Sequence, residues 1–208
     1  TYDAIFLDPF SQNMAPELFS LEFFKEFRRI IKDNGIIATY TSSAPVRAAF
    51  IEAGFYIGLG PIFGRKQGGT LASPNPEMLD YSLPKNDEIR IALSDVGIPF
   101  RDPGLNNSSD FILDNRATER QDARHNTKIS SAVKTPIFLG DAMEDDEKLK
   151  RRVERNLAKM NISSTTSKEA FYISECENEY SENQDSKNNS TTRILDMKKR
   201  LKKVKDGN

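Results

Sequence analysis

The run Ala4-Ile5-Phe6-Leu7, closed by Asp8-Pro9, is continuously apolar rather than alternating, and it constrains the fold more than any other stretch of the chain. A strand with no polar face is covered on both sides, and such strands lie centrally in the parallel sheets of α/β domains. A central strand pairs along both of its edges. The partners on one side would normally come earlier in a sequence, and without them the strand leaves unpaired N–H and C=O groups along a hydrophobic edge. Because this run starts only a few residues after Thr1, the expectation is an incomplete chain: the later portion of a longer α/β domain.

The elements that follow agree with that class. Ser20 is placed to cap a helix in which Phe23, Phe24, Phe27, Ile30 and Ile31 recur at helical spacing, with Lys25, Glu26, Arg28, Arg29 and Lys32 on the other face. Asn34-Gly35 is expected to end it, and Ile36 to Thr41 reads as the next strand. Ser43 and Pro45 open a second helix with Val46, Ala49, Phe50 and Ala53 on one stripe. Gly54 closes it before a short strand, Phe55-Tyr56-Ile57, and Thr70-Leu71-Ala72-Ser73 is a further strand. The order β-α-β-α-β predicts an open, mostly parallel sheet in residues 1–73.

Beyond it, residues 74–140 are rich in Pro, Asn, Asp and Ser and read as an irregular extension. Glu144 to Met160 then carries Leu149, Val153, Leu157 and Met160 on one amphipathic stripe, which brings the extension to residue 174. Residues 175–208 run from an acidic, Ser/Asn-rich stretch into a basic one, Arg193 to Lys205, and read as a disordered charged tail.

Composition narrows the function classes. Thirty Lys and Arg against 31 Asp and Glu leave a net charge of -1, so any contact with a polyanion must come from a local patch. Cys176 is the single cysteine and His125 the single histidine, which removes internal disulfides, His-based triads and ordinary zinc sites; His125 itself sits in a polar stretch and is expected to be exposed. No apolar run reaches the roughly 18 residues of a membrane span, and a soluble, cytoplasmic protein is expected.

In open α/β sheets ligands bind beyond the carboxyl ends of the strands. Asp8 leaves a buried strand at such an end, so its carboxylate needs a donor, either on a ligand or in the local turn. Strand-end position alone leaves both roles open. Pro9 fixes the backbone that aims it, and Phe10 presents a flat apolar face. Thr41 and Arg47, near the next strand end, are weaker pocket candidates, since an arginine on a helix surface is usually solvated. Tyr40 reads as core. Gly58-Leu59-Gly60 is a G-x-G that follows a late strand and leads to Pro61, so it reads as a turn rather than a cofactor fingerprint. Arg101-Asp102-Pro103 reads as a turn with an ion pair.

Four blocks together carry a family resemblance: Tyr2 to Ser11 with Pro16-Glu17-Leu18 and Phe23-Phe24; Gly35 to Arg47; Glu52-Ala53-Gly54-Phe55; and Phe63-Gly64-Arg65-Lys66. In this order they resemble the methyltransferase domain of MnmC and its stand-alone relatives, over roughly residues 1–73. The resemblance implies a class I, Rossmann-like methyltransferase sheet, S-adenosyl-L-methionine as cofactor, and methylation of an aminomethyl group on a modified wobble uridine of tRNA. It places the family's catalytic aspartate on Asp8, its aromatic on Phe10, and its substrate-binding basic segment on Phe63, Arg65 and Lys66. Asp8 and Pro9 would also border the cofactor. It implies tRNA as partner, no membrane, and an upstream FAD-dependent oxidoreductase activity supplying the amine. The family's glycine-rich cofactor loop and ribose-holding acid lie upstream of its D-x-F segment and are not found here, so the isolated chain is not expected to bind the cofactor tightly. Ile62 replaces the first glycine of the basic segment, and Gln67-Gly68-Gly69 follows it. Two rival readings are an amino methyltransferase acting on a nucleobase, whose D-P-P-aromatic motif Asp8-Pro9-Phe10 partly imitates, and a non-catalytic RNA-binding or scaffolding remnant. The basic run Met197 to Lys205 is a further, weaker candidate for RNA contact.

Overall fold

A computed structural model describes residues 1–62, 68–129, 146–174 and 189–207. Its first strand, β1 (Tyr2–Leu7), is followed by a 3-10 turn over Pro16–Phe19, helix α1 (Leu21–Ile30) and strand β2 (Ile31–Thr39). Helix α2 (Ala44–Glu52), then strands β3 (Tyr56–Leu59) and β4 (Thr70–Ser73), complete a four-stranded sheet in the order β1-β2-β4-β3. Helices α3 (Lys85–Leu93), α4 (Ser109–Asn126), α5 (Glu147–Ala158), α6 (Lys168–Ser174) and α7 (Ser190–Asp206) follow.

The sheet departs from the expected parallel ladder in one respect. β1 pairs parallel with β2, while β4 inserts antiparallel between β2 and β3. Three strands therefore still point one way. Ile5, Ile37, Ala72 and Ile57 form one row across the sheet, and the last three are buried, against the helices. The neighbouring row, Phe6, Ala38, Leu71 and Gly58, projects from the opposite face, where Phe6 is 82% exposed. The expectation of a first strand covered on both faces is thus corrected: among the described residues β1 is an edge strand with one open face, because nothing packs over Ala4 and Phe6.

Helix α1 forms as its pattern predicts. Ser20 Oγ accepts from Phe23 N at 3.2 Å and itself donates to the Glu17 carbonyl, satisfying an otherwise orphaned amide at the helix start. Ser20→Ala is expected to lower stability by about 1 kcal/mol, measured by urea unfolding. Phe24 and Phe27 turn inward, and Phe24 stacks on Phe50 of α2 with ring centroids 3.9 Å apart. Phe50 in turn meets Phe55 edge-on. Asn34-Gly35 does not end α1. Ile31 is already extended and pairs with Tyr2, and the register then shifts, so that Lys32, Asp33 and Asn34 are exposed within β2. Gly54, at φ +90, does end the α2 segment as expected, in a conformation that side chains rarely adopt.

Residues after β4 are more regular than their composition suggests. The stretch expected to be irregular holds α3 and the 18-residue α4, whose N-cap Ser108 accepts from Phe111 N. The Arg101 turn forms with an ion pair, as expected, although its carboxylates come from other elements. Arg101 pairs with Glu52 at 3.0 Å and Glu119 at 3.4 Å, while the buried Asp102 accepts from the Asn107 amide and side chain. On α5, Val153 and Leu157 are buried with the following Met160, and Leu149 packs beside them. Part of the expected disordered tail is α7, packed on α3, α6 and β3 with Ile194, Met197 and Leu201 in the core. Here Thr191 Oγ1 accepts from Ile57 N and Ser190 Oγ from Leu83 N, so α7 closes the outer edge of β3. Cys176 lies outside the described residues. No helix of the described residues is long and apolar enough to cross a membrane.

Candidate active site

The carboxyl ends of β1 and β2 lie side by side, since Leu7 is the register partner of Thr39. Asp8 is exposed there, and no donor among the described residues reaches its carboxylate. The turn that follows is closed without it: Met14 N donates to Ser11 O and Oγ, and Ala15 N to Ser11 O. Of the two roles open to this carboxylate, capping the local turn is taken by Ser11.

What positions Asp8 is the backbone after it. The Tyr40 hydroxyl donates to the Pro9 carbonyl at 2.7 Å, with the Phe10 carbonyl at 3.0 Å. Gln12 Nε2 donates to Thr41 Oγ1 at 2.9 Å. Two consecutive residues of the β2 end thus clamp the segment that carries Asp8. Phe10 is 97% exposed, its ring free to meet a planar group.

The clamp continues inward. Thr70 Oγ1 donates to the Thr41 carbonyl at 2.7 Å and accepts from Arg47 Nε at 2.9 Å. Arg47 is only 1% exposed and pairs with Asp87 of α3 at 2.7 Å; burial pushes its guanidinium below the ordinary arginine range, which Asp87 opposes. It is therefore not the solvated surface arginine that its helix suggested. Gly69 fits the same junction, since a Cβ there would stand 2.2 Å from the Thr39 carbonyl oxygen. Only glycine allows that approach of two backbones.

The sequence reading missed Tyr40, assigned to the core, Gln12 and Thr70. Arg47 did leave a signal: it is the one charge within Ala44 to Ile51, a run that is apolar on every side and whose residues from Pro45 to Ile51 are all buried. A charge so placed must be paired. Gly58-Leu59-Gly60 lies mainly in β3 rather than in a turn, and a Cβ on Gly58 would stand 2.7 Å from the Tyr81 carbonyl oxygen. His125 is exposed, as its surroundings predict, with its ring Nδ1 beside the Gln121 carbonyl. Phe63, Arg65 and Lys66 lie outside the described residues. The backbone on either side is joined where Gly60 N donates to the Gly69 carbonyl.

Residues 1–75 match the family model of S-adenosyl-L-methionine-dependent methyltransferases. The chain is 37% identical over 120 residues to an uncharacterized protein of Methanocaldococcus jannaschii, covering 58% of this chain and 34% of that one. It is 41% identical over 71 residues to the tRNA 5-methylaminomethyl-2-thiouridine biosynthesis bifunctional protein MnmC of Ralstonia nicotianae, covering 34% of this chain and 11% of that protein. The crystal structure of MNMC2 from Aquifex aeolicus superposes with a TM-score of 0.54 at 30% identity, covering 59% of this chain and 39% of that one. The chain thus spans about a third or less of the length of these curated relatives.

Proposed function

We propose, on the premise that residues 1–75 carry an MnmC-like methyltransferase segment, that this chain contributes the catalytic strand end of an enzyme methylating an aminomethyl group on a modified wobble uridine of tRNA. The observation that carries the reading is Asp8: a carboxylate at the carboxyl edge of the sheet, without a protein partner among the described residues, on a backbone held by Tyr40 and Gln12. The matching relatives named as tRNA 5-methylaminomethyl-2-thiouridine biosynthesis proteins support the substrate class.

The residues present fit one flank of the cofactor. Asp8 and Pro9 border the open strand end, and Phe10 offers a ring beside it. S-adenosyl-L-methionine, when bound, supplies a methyl group on a positively charged sulfur. The amine must then be neutral, desolvated and held in line, so most of the acceleration is positioning. Asp8 accepts a hydrogen bond from the amine N–H, which turns the nitrogen lone pair toward the incoming carbon. As the N–C bond forms, the methyl carbon–sulfur bond would break with its electron pair leaving on sulfur as a neutral thioether, and the nitrogen gains positive charge, which the carboxylate stabilises before taking up the proton. Phe10 stacks on the uracil ring. Phe63, Arg65 and Lys66 complete the proposal as the substrate-binding segment, with the two cations on backbone phosphate. The substrate amine would come from an FAD-dependent oxidoreductase activity, and the encounter with tRNA would take place in the cytoplasm.

Mass spectrometry of tRNA nucleosides from cells with and without the gene tests this directly. The expected result is loss of the methylated aminomethyluridine and accumulation of its unmethylated amine. Unchanged tRNA with altered DNA methylation would turn the reading to nucleobase amino methylation. No change in either would leave an RNA-binding or scaffolding protein.

A further inference from the structure

A second cleft, of about 340 Å³, opens between the start of α2 and α3, lined among others by Ser43, Arg47, Asp87, Arg90 and Arg116. Its charge is unbalanced. Asp87 is spent on Arg47, and Arg90 is exposed with no side-chain partner among the described residues. Arg116 donates to the carbonyls of Ile98 and Val96 and lies over the Phe100 ring, and no hydrogen bond joins it to the nearby carboxylates of Asp95 and Glu119. Burial and the neighbouring Arg120 push its guanidinium down to about 10, against the opposing pull of Asp95 and Glu119, so it stays charged at neutral pH. At the same wall Ser43 Oγ is buried without a hydrogen-bond partner, the one such side-chain atom among the described residues, and its hydroxyl does not cap α2. An orphaned hydroxyl, one guanidinium without a side-chain partner and a second that donates only to backbone carbonyls, on one cleft, match the acceptor-rich surface of an oxyanion.

We infer that this cleft binds a backbone phosphate of RNA, through Arg90 and Arg116 with Ser43, while Arg47 and Asp87 hold its floor. The volume takes a phosphate with part of its sugar. Its position agrees: Ser43 lies two residues beyond Thr41, which is tied to Gln12 of the Asp8 segment, so a strand anchored here passes close to the proposed catalytic edge. The inference rests on the methyltransferase reading for the source of the phosphate, and on the cleft alone for the anion.

The test uses the 208-residue chain. Inorganic phosphate is titrated while arginine Nε–Hε signals are followed by NMR, and unmodified tRNA is titrated at two salt concentrations. Phosphate is expected to move Arg90 and Arg116. Arg90→Ala should weaken phosphate binding about tenfold and lower the slope of log K against log salt for tRNA by about 1. Ser43→Ala should weaken phosphate less, and Lys25→Ala, an exposed cation on α1, should leave phosphate affinity unchanged. An Arg90→Ala chain with wild-type phosphate affinity overturns the site. Weakened phosphate binding with an unchanged tRNA slope overturns the RNA assignment in favour of a free phosphate or nucleotide. Absence of methyl transfer by a longer protein, with the Arg90→Ala effect on phosphate intact, would reject the methyltransferase reading and leave this site standing.

Discussion

In a chain that carries a cofactor-binding segment ahead of residue 1 as well, replacing Asp8 by alanine is expected to slow single-turnover methyl transfer at saturating tRNA by about 10²–10⁴-fold. Stability should hardly move. Asp8 is exposed and has no partner among the described residues, so the change in unfolding free energy should stay within about 0.5 kcal/mol. Asp8→Asn separates the two tasks assigned to the carboxylate: it keeps a hydrogen-bond acceptor and loses the base, so it should fall between alanine and wild type. Tyr40→Phe offers an independent check. It releases the carbonyls of Pro9 and Phe10 without touching Asp8, and a smaller loss of rate with tRNA affinity kept is the expected outcome. Wild-type turnover in Asp8→Ala would take the carboxylate out of the mechanism.

A second large effect is expected far from that edge. Glu88 on α3 is 3% exposed and is gripped through both oxygens by Arg193 of α7, at 2.9 and 2.5 Å. Arg193→Ala strands that carboxylate in the interior, and breaking a buried pair in this way costs about 3–5 kcal/mol, a large part of the stability of an ordinary domain. Glu88→Leu combined with Arg193→Met removes both charges and should recover most of the loss. Urea unfolding of the two variants measures the contrast. If Arg193→Ala unfolds at the same urea concentration as wild type, α7 does not pack where the structure has it.

The reason α7 was not legible shows how far sequence reading reaches. Its apolar positions Ile194, Met197, Leu201 and Val204 do recur at helical spacing, but six lysines and arginines from Lys198 to Lys205 dominate the stretch, and an Asn/Ser-rich run precedes it. Composition then outweighs periodicity. In α1 the same spacing is carried by phenylalanine beside a serine cap, so the helix was readable, although its end was not: Asn34-Gly35 is a turn signal, yet Ile31 gains more from burial and pairing with β1 than from another helical turn. β4 was visible as a strand, but its antiparallel insertion depends on a pairing choice that no local pattern encodes. At the candidate site Asp8 could be found because strand ends are where α/β sheets bind ligands. Tyr40 could not, since a tyrosine after an apolar strand looks like core until its hydroxyl is seen to meet a carbonyl.

Synthesis from the amino end gives the α7 contacts a cost in time. Thr191 satisfies Ile57 N across 134 residues, Ser190 satisfies Leu83 N across 107, and Arg193 neutralises Glu88 across 105. At translation speeds of about 5–20 residues per second, the edge of β3 and a carboxylate meant for the interior wait roughly 5–30 s for their partners. During that interval the nascent chain presents an unpaired strand edge beside apolar surface, the kind of segment that recruits other chains. Productive folding of this edge is therefore postponed until α7 has been made, and truncation before residue 190 should give aggregates rather than a smaller soluble domain.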